Sequence, residues 1–249
     1  MDKKILLISQ DDHFSKQIGL CLKEDMLNIN VSNKFDDNAE IVIVNMYNYS
    51  TRIEKQLDIV LQSEDVIKVI LLENALELYL NSKNKLPFSV YEKISPKNET
   101  CKQYLDLEHK VCESKKSYVI FRISEIYGES FPYGLVSKLL SYRSNEYDNS
   151  LHDFIYDGDV VSAIEIALKK EVTGLFDIAS GKSIDLKDLV ELIKQLKQIN
   201  INKIKWKRKQ QDIVFNCENF KFYKWEPLVD MQMGLKTLLT LRRKNHGWV

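Results

Sequence analysis

Two hydrophobic patterns alternate along the first half of the chain. Ile5–Ile8, Ile41–Val44 and Tyr118–Phe121 are short runs of continuous apolar character, Val66–Leu72 is a longer run interrupted at Lys68, and Ile29–Val31 is a brief one. Apolar runs without polar alternation belong to strands buried on both faces. Between them the spacing changes. Phe14, Ile18, Cys21 and Leu22 share one face of a predicted helix, Ile53, Leu57, Val60 and Leu61 share one face of another over Arg52–Leu61, and Thr100–Cys112 reads as a third. Strands alternating with helices predict an α/β fold: a Rossmann-like, doubly wound parallel sheet with helices on both faces.

The second half differs in pattern. Val160–Leu168 and Leu186–Leu196 are amphipathic helices with a short strand, Gly174–Ile178, between them. Ile201–Trp206 alternates polar and apolar residues as a strand does, and Gly234–Leu241 closes the chain as a helix. These elements predict a small C-terminal α/β lobe. Residues 1–130 are assigned to the sheet domain, which also receives 150–180, and 131–249 mainly to the lobe. No Pro/Gly-rich linker separates them, so the lobe is expected to pack on the sheet.

Composition narrows the chemistry. The 249 residues carry 36 basic and 36 acidic side chains, a balance that favours neither nucleic acid nor a membrane surface as partner. The apolar run near the N-terminus is too short for a signal peptide or a membrane helix, so a cytoplasmic protein is expected. Cys21, Cys101, Cys112 and Cys217 are scattered without a C-x-x-C pair, and His13, His109, His152 and His246 lack ligand spacing. Neither a metal site nor a disulfide framework is expected. The one basic cluster, Lys203–Lys209, reads as an edge strand blunted by lysines or as a phosphate contact. Phe215, Phe220, Phe222, Tyr223 and Trp225 are expected in the core of the lobe.

Several segments resemble one family. HDFIYDGDVVSAIEIAL (His152–Leu168) is similar to the Arg-Asp-Phe-Ile-x-Val-x-Asp-Val segment of extended short-chain dehydrogenase/reductases of the NAD-dependent epimerase/dehydratase kind. GLFDIASGKSIDLKDLVELI (Gly174–Ile193) resembles their Gly-x-Tyr-Asn-Ile-Gly-Ser-Gly followed by a helix, and YKWEPLVDMQMGLKTLL (Tyr223–Leu239) their Leu-Gly-Trp-x-Pro before the last helix. VIFRISEIYG (Val119–Gly128) is similar to Leu-Arg-x-x-Asn-Val-Tyr-Gly, and AEIVIVNMYNYS (Ala39–Ser50) to a dehydrorhamnose reductase segment. The resemblance implies a Rossmann-like fold, NAD or NADP by family, and a nucleotide sugar as substrate. It also implies dimers built from two helices per subunit, here Arg52–Leu61 and Thr100–Cys112.

The chain departs from the family where the cofactor would lie. A dinucleotide-binding turn needs glycines so that backbone can approach the pyrophosphate. The family's three glycine positions fall on Ser9, Asp12 and Ser15. Asp11 and Asp12 put carboxylates where a helix start would offer free N–H groups to phosphate. At roughly 5 Å and an effective dielectric of about 20, each carboxylate–phosphate pair repels by about 3 kcal/mol. Ser32 and Asn33 stand where an acidic or basic residue would read the adenosine ribose, and Met46 and Tyr47 are large enough to fill the vacated slot.

The hydride-transfer set departs as well. The family uses Ser/Thr and a Tyr-x-x-x-Lys pair, the lysine lowering the tyrosine's pKa. In one register Lys102 takes the lysine place and Asn98 the tyrosine place; in the other these fall to Tyr104 and Thr100, with Asn74 and Ala75 near the serine position. Neither restores the pair, and Lys102 is the candidate vestige. Tyr79-Leu-Asn-Ser-Lys83 matches the motif in the wrong place. The substrate-binding candidates implied by the resemblance are Glu125, in place of the asparagine that meets the sugar, Tyr127, His152, in place of an arginine, and Lys209. The expected protein lacks a bound cofactor and catalysis. It would act as a homodimer, or as a heteromer with an active sugar-nucleotide enzyme, and could retain a nucleotide-sugar site. The alternatives are an active epimerase or reductase with an atypical cofactor site, and a regulator that keeps only the lobe site.

Overall fold

Apolar strands and amphipathic helices alternate in the structure as their patterns require. It is a computed structural model, and it describes residues 3–10, 12–24, 28–80, 85–132, 134–141, 146–197, 204–207, 209 and 211–245, with backbone alone over 242–245. The first elements are β1 (Ile5–Ile8), α1 (His13–Glu24), β2 (Ile29–Ser32), β3 (Ile41–Asn45), α2 (Thr51–Gln62), β4 (Lys68–Asn74) and α3 (Ala75–Tyr79). Next come α4 (Glu99–Glu113), β5 (Ser117–Ile123), β6 (Glu125–Tyr127), α5 (Leu135–Leu140), β7 (Glu146–Asp148), β8 (Leu151–Tyr156) and α6 (Asp157–Lys169). The chain continues through β9 (Gly174–Ile178), β10 (Ser183–Asp185), α7 (Leu186–Lys197), β11 (Lys205–Lys207), α8 (Glu218–Lys221) and α9 (Met231–Asn245).

The main sheet has six parallel strands in the order β2-β1-β3-β4-β5-β9. Alternate residues of each strand face opposite layers. Leu7, Ile43, Leu72 and Phe121 pack with Phe14, Ile18 and Leu22 of α1 and with Val160 and Ile164 of α6. Leu6, Val44, Leu71 and Ile120 pack with Ile53 and Leu57 of α2 and with Tyr104 and Leu107 of α4. The doubly wound α/β arrangement is therefore present. One feature differs from the longer doubly wound order, which carries a further strand outside β2. Here residues 33–40 run from β2 straight to β3, and β2 is the outer strand. The chain crosses from one side of β1 to the other in that step, so the strand order reverses at β1/β3.

A smaller sheet, β10-β8-β6, and a two-stranded pair, β11-β7, build the remainder. Tyr127, Phe154, Leu139, Leu189, Ile193 and Leu235 form a core cluster of their own between that small sheet and helices α5, α7 and α9. Asp153 ties the parts together: its carboxylate accepts from the Ser180 and Gly181 N–H groups at 2.9 and 3.1 Å, from the Ser180 hydroxyl at 2.6 Å and from the Phe215 N–H at 3.4 Å.

The aromatic segment near the C-terminus does not build the lobe core. Phe215 joins the α2/α4 face of the main sheet, Phe220 and Trp225 join the α1/α6 face, and Phe222 is 84% exposed. Trp225 is drawn there by its indole N–H, which donates to the Ser162 hydroxyl at 2.9 Å. The expected strand over 201–206 appears as Lys205–Lys207, and residues 201–203 lie outside the described residues.

Candidate functional site

In open parallel sheets a ligand crevice lies beyond the carboxyl ends of the strands, where the strand order reverses. Such a crevice opens beyond β1 and β3, with a volume of about 510 Å³. It is bounded by the start of α1, the end of β3 and the stretch from β6 to α5, and is lined among others by Asp12, Asn45, Tyr47, Glu125, Ser130 and Phe131.

The start of α1 is closed by its own side chains. Asp12 is the N-cap: its Oδ1 accepts the Ser15 N–H at 2.7 Å and its Oδ2 accepts the Ser15 hydroxyl at 3.2 Å. The Ser15 hydroxyl also accepts from Asn45 Nδ2 at 2.7 Å, tying the helix start to β3. Ser9 is buried, and its hydroxyl donates to the Gln10 carbonyl at 2.6 Å. Asp11 lies outside the described residues. No glycine precedes Gly19 in the chain. A diphosphate seated on a helix start needs bare N–H groups and close backbone approach. These residues do not fit that seat, because a carboxylate already takes the Ser15 N–H and side chains stand at all three glycine positions.

Met46 and Tyr47 are both buried. The Tyr47 hydroxyl donates to the Ser124 carbonyl at 2.9 Å and accepts the Ile126 N–H at 3.2 Å. Tyr104 of α4 donates to the Met46 carbonyl at 2.8 Å from behind. The register that puts Tyr104 at the family's lysine place is therefore the one that points inward, whereas Lys102 is exposed one turn from the Asn98 cap. Tyr79 ends α3 and is buried in the sheet, and Lys83 lies outside the described residues. Phe14, Tyr47 and Phe131 form an aromatic wall, with ring centroids 5.0 Å apart for Phe14–Phe131 and 5.4 Å for Tyr47–Phe131.

Two of the substrate-binding candidates meet directly. Glu125 on β6 and His152 on β8 share a hydrogen bond between Oε2 and Nδ1, and His152 stacks on Phe154 at 5.5 Å. Burial pulls the His152 pKa down, but the Glu125 hydrogen bond and charge outweigh it and raise it above the usual imidazole range. Lys209 pairs with Asp212 at 2.8 Å, and Asp212 accepts the Leu151 N–H at 2.9 Å, one residue from His152. Tyr127 lies elsewhere: it is buried against α9, and its hydroxyl donates to the Asp230 carbonyl at 3.2 Å.

A second polar constellation is not apparent in the sequence reading. Glu73 of β4, Arg122 of β5 and Asp177 of β9 are partners in register across three adjacent strands, all buried on the α4 side of the sheet. Arg122 donates to both carboxylate oxygens of Glu108, at 2.6 and 2.7 Å, and to the Tyr79 hydroxyl at 2.8 Å. Burial pushes the Asp177 carboxyl up to about 7 against the pull of Arg122. Burial and then the Glu108 charge push Glu73 well above the usual carboxyl range.

The two helices expected to form a dimer seam show charged outer faces. Lys110 of α4 bridges Glu54 and Asp58 of α2 at 2.9 and 3.0 Å, while Arg52, Lys55, Lys102, Asp106 and His109 face solvent. Among their described side chains, Ile59 is the exposed large apolar group, at 47%. No described helix is long and apolar enough to cross a membrane.

No protein-family model matches the sequence, and no curated protein does. Solved structures match over nearly the whole chain. The architecture defines a class: it is the fold of NAD-dependent nucleotide-sugar epimerases and dehydratases. The chain is similar to a UDP-glucose 4-epimerase from Thermotoga maritima solved with UDP-glucose, at 19% identity over 97% of this chain and 99% of that one, with a TM-score of 0.79. It is similar to a dTDP-glucose 4,6-dehydratase from Bacillus anthracis solved with NAD, at 15% identity over 99% of this chain and 98% of that one, with a TM-score of 0.80. The Bordetella bronchiseptica enzyme WbmG, solved with NAD and UDP, matches at 12% identity over 98% of this chain and 96% of that one, with a TM-score of 0.79.

Proposed function

We propose that this chain is a non-catalytic relative of nucleotide-sugar epimerases and reductases that has given up the dinucleotide seat and serves as a binding or assembly partner in sugar-nucleotide metabolism in the cytoplasm. The observation that carries the reading is the Asp12 carboxylate on the Ser15 N–H, where a pyrophosphate would need that donor. The exposed Lys102 and the buried, backbone-bonded Tyr104 support it, since neither register supplies a phenol and an ammonium together. The partner would be a second copy or an active enzyme of the same fold. The exposed charges on the outer faces of α2 and α4, Arg52, Lys55, Lys102 and Asp106, favour ion pairing over an apolar seam there.

A second reading, an active enzyme with an atypical cofactor site, is favoured by one observation: Glu125 lines the crevice and is gripped by His152, an acid–base pair in contact. Ligand-dependent thermal unfolding separates the two. A ligand at one hundred times its Kd stabilises by about 2.7 kcal/mol, which for a chain of this size raises Tm by roughly 5–11 °C. No rise is expected with NAD or NADP up to millimolar concentrations. A rise of that size with either would overturn the proposal, and turnover of a UDP- or dTDP-sugar would establish the second reading.

A further inference from the structure

We propose that the outer edge of β2 pairs antiparallel with the same edge of a second copy, so that the main sheet runs on from one chain into the other. The inference rests on the proposed assembly role and names its surface and its partner. Among the described residues no strand pairs with the outer side of β2. The Ile5 N–H donates to the Asn28 carbonyl and the Ser9 N–H to the Ser32 carbonyl, so alternate residues 28, 30 and 32 turn their backbone groups toward β1. Ile29 and Val31 therefore turn their N–H groups and carbonyls away from it. Native proteins blunt such an edge with charges, a proline or a covering segment. The strand reads Ile-Asn-Val-Ser and has neither charge nor proline.

The strand is complementary to itself. Leu6 lies beside Asn30 and Leu7 beside Val31, and Leu6 and Leu7 face opposite layers. Ile29 and Val31 thus share the α1 face, and Asn30 and Ser32 share the other. A two-fold axis through Asn30 sets Ile29 of each copy against Val31 of its counterpart, apolar against apolar, and the pair exchanges the outward N–H groups and carbonyls. Asn30, which is exposed, meets itself on the axis, and a carboxamide both donates and accepts. Val31 is 40% exposed and Leu20 of α1 60%, and Leu20 stands at the same level, because its neighbour Gly19 packs so closely on Val31 that an added Cβ would lie 2.5 Å from Val31 Cγ2. An occupant of this edge must be apolar toward Val31 and amide or hydroxyl toward Asn30, and β2 itself has that alternation.

The test is sedimentation of the full chain over about 1–100 µM, with backbone hydrogen exchange read at both ends of that range. A dimer is expected to form as concentration rises, and the Ile29 and Val31 amides to gain protection with it. Asn30→Asp sets two carboxylates on the axis, and Val31→Lys sets an ammonium in the seam of each copy. Each is expected to weaken the dimer about tenfold or more with unchanged circular dichroism. Two variants are used because Val31 also packs on Gly19, whereas the Asn30 side chain is exposed. A seam through the charged faces of α2 and α4 behaves otherwise: Lys55→Glu and about 0.5 M salt would weaken that one and leave a β2 seam standing. A monomer at every concentration, or a dimer that both β2 variants leave at wild-type strength, would overturn the inference. An NAD titration by thermal unfolding runs in parallel. A monomer indifferent to NAD sinks this inference alone, whereas a β2-dependent dimer stabilised by NAD upholds the pairing and sinks the proposed loss of the dinucleotide seat.

Discussion

The buried row Glu73–Arg122–Asp177 makes an unusual prediction about pH. Asp177 holds its proton in the folded chain up to about 7, against a usual value of 3.8, because burial disfavours its charged form and Arg122 offsets this incompletely. The unfolded chain releases that proton near the usual value. Between the two the folded state binds one more proton than the unfolded state, so stability falls as pH rises. At about 1.4 kcal/mol per pH unit, easing as pH nears 7, the interval from pH 5 to 7 removes about 2 kcal/mol, and the full window about 4 kcal/mol. The Asp153 carboxyl, pushed up to about 6 by burial against its hydrogen bonds from Ser180, slopes the same way, as do the raised Glu73 and His152. The carboxylates held low, Glu54 and Asp212, lose their contribution only in more acid solution, so they do not mask the effect. Urea unfolding followed by tryptophan fluorescence at pH 5, 6, 7 and 8 measures it. Asp177→Asn removes the titrating group and is expected to flatten the profile by about one proton. Stability that climbs from pH 5 to 7, or an Asn variant with the wild-type slope, would refute the assignment of a neutral carboxyl to this position.

Other substitutions probe other parts. Arg122→Met leaves Glu108 buried without its cation and should cost about 3–5 kcal/mol in urea unfolding. Asp12→Ala removes the cap of α1 and should cost about 1 kcal/mol, again by urea unfolding, with no gain of NAD binding because Ser9, Ser15 and Tyr47 remain. Gly234→Ala should destabilise α9 by about 1–3 kcal/mol in thermal unfolding despite alanine's better helix propensity, since the added Cβ would lie 2.3 Å from the Tyr127 hydroxyl.

Much of the main sheet was legible because β1, β3, β4 and β5 are apolar on both faces and leave unbroken runs in the sequence. Helices α1, α2 and α4 were legible for the complementary reason: one buried stripe each, spaced by three or four residues. The small sheet and the β11-β7 pair were less so. Strands β6 and β10 of the one and β7 of the other have three residues each and mix polar with apolar side chains, too short for any period to emerge. The aspartate at the helix start was readable as a cap because capping is local, whereas the meeting of Glu125 and His152 depends on the pairing of β6 with β8 and has no local signal. The Glu73–Arg122–Asp177 row did leave a trace. Each charge directly follows an apolar residue near the end of its strand, in Leu72-Glu73, Phe121-Arg122 and Phe176-Asp177, and the recurrence of one break at matching places in three strands could have flagged it.

The tethering of Tyr47 at both lone pair and proton, with Tyr104 bracing the carbonyls behind it, has a consequence for how the crevice meets a guest. A buried side chain whose hydroxyl both donates and accepts has little rotational freedom left to surrender on binding, so complexation should draw little entropy from the host. Selection then operates as a mould does, refusing an ill-fitting molecule at the rim instead of reshaping itself to admit it.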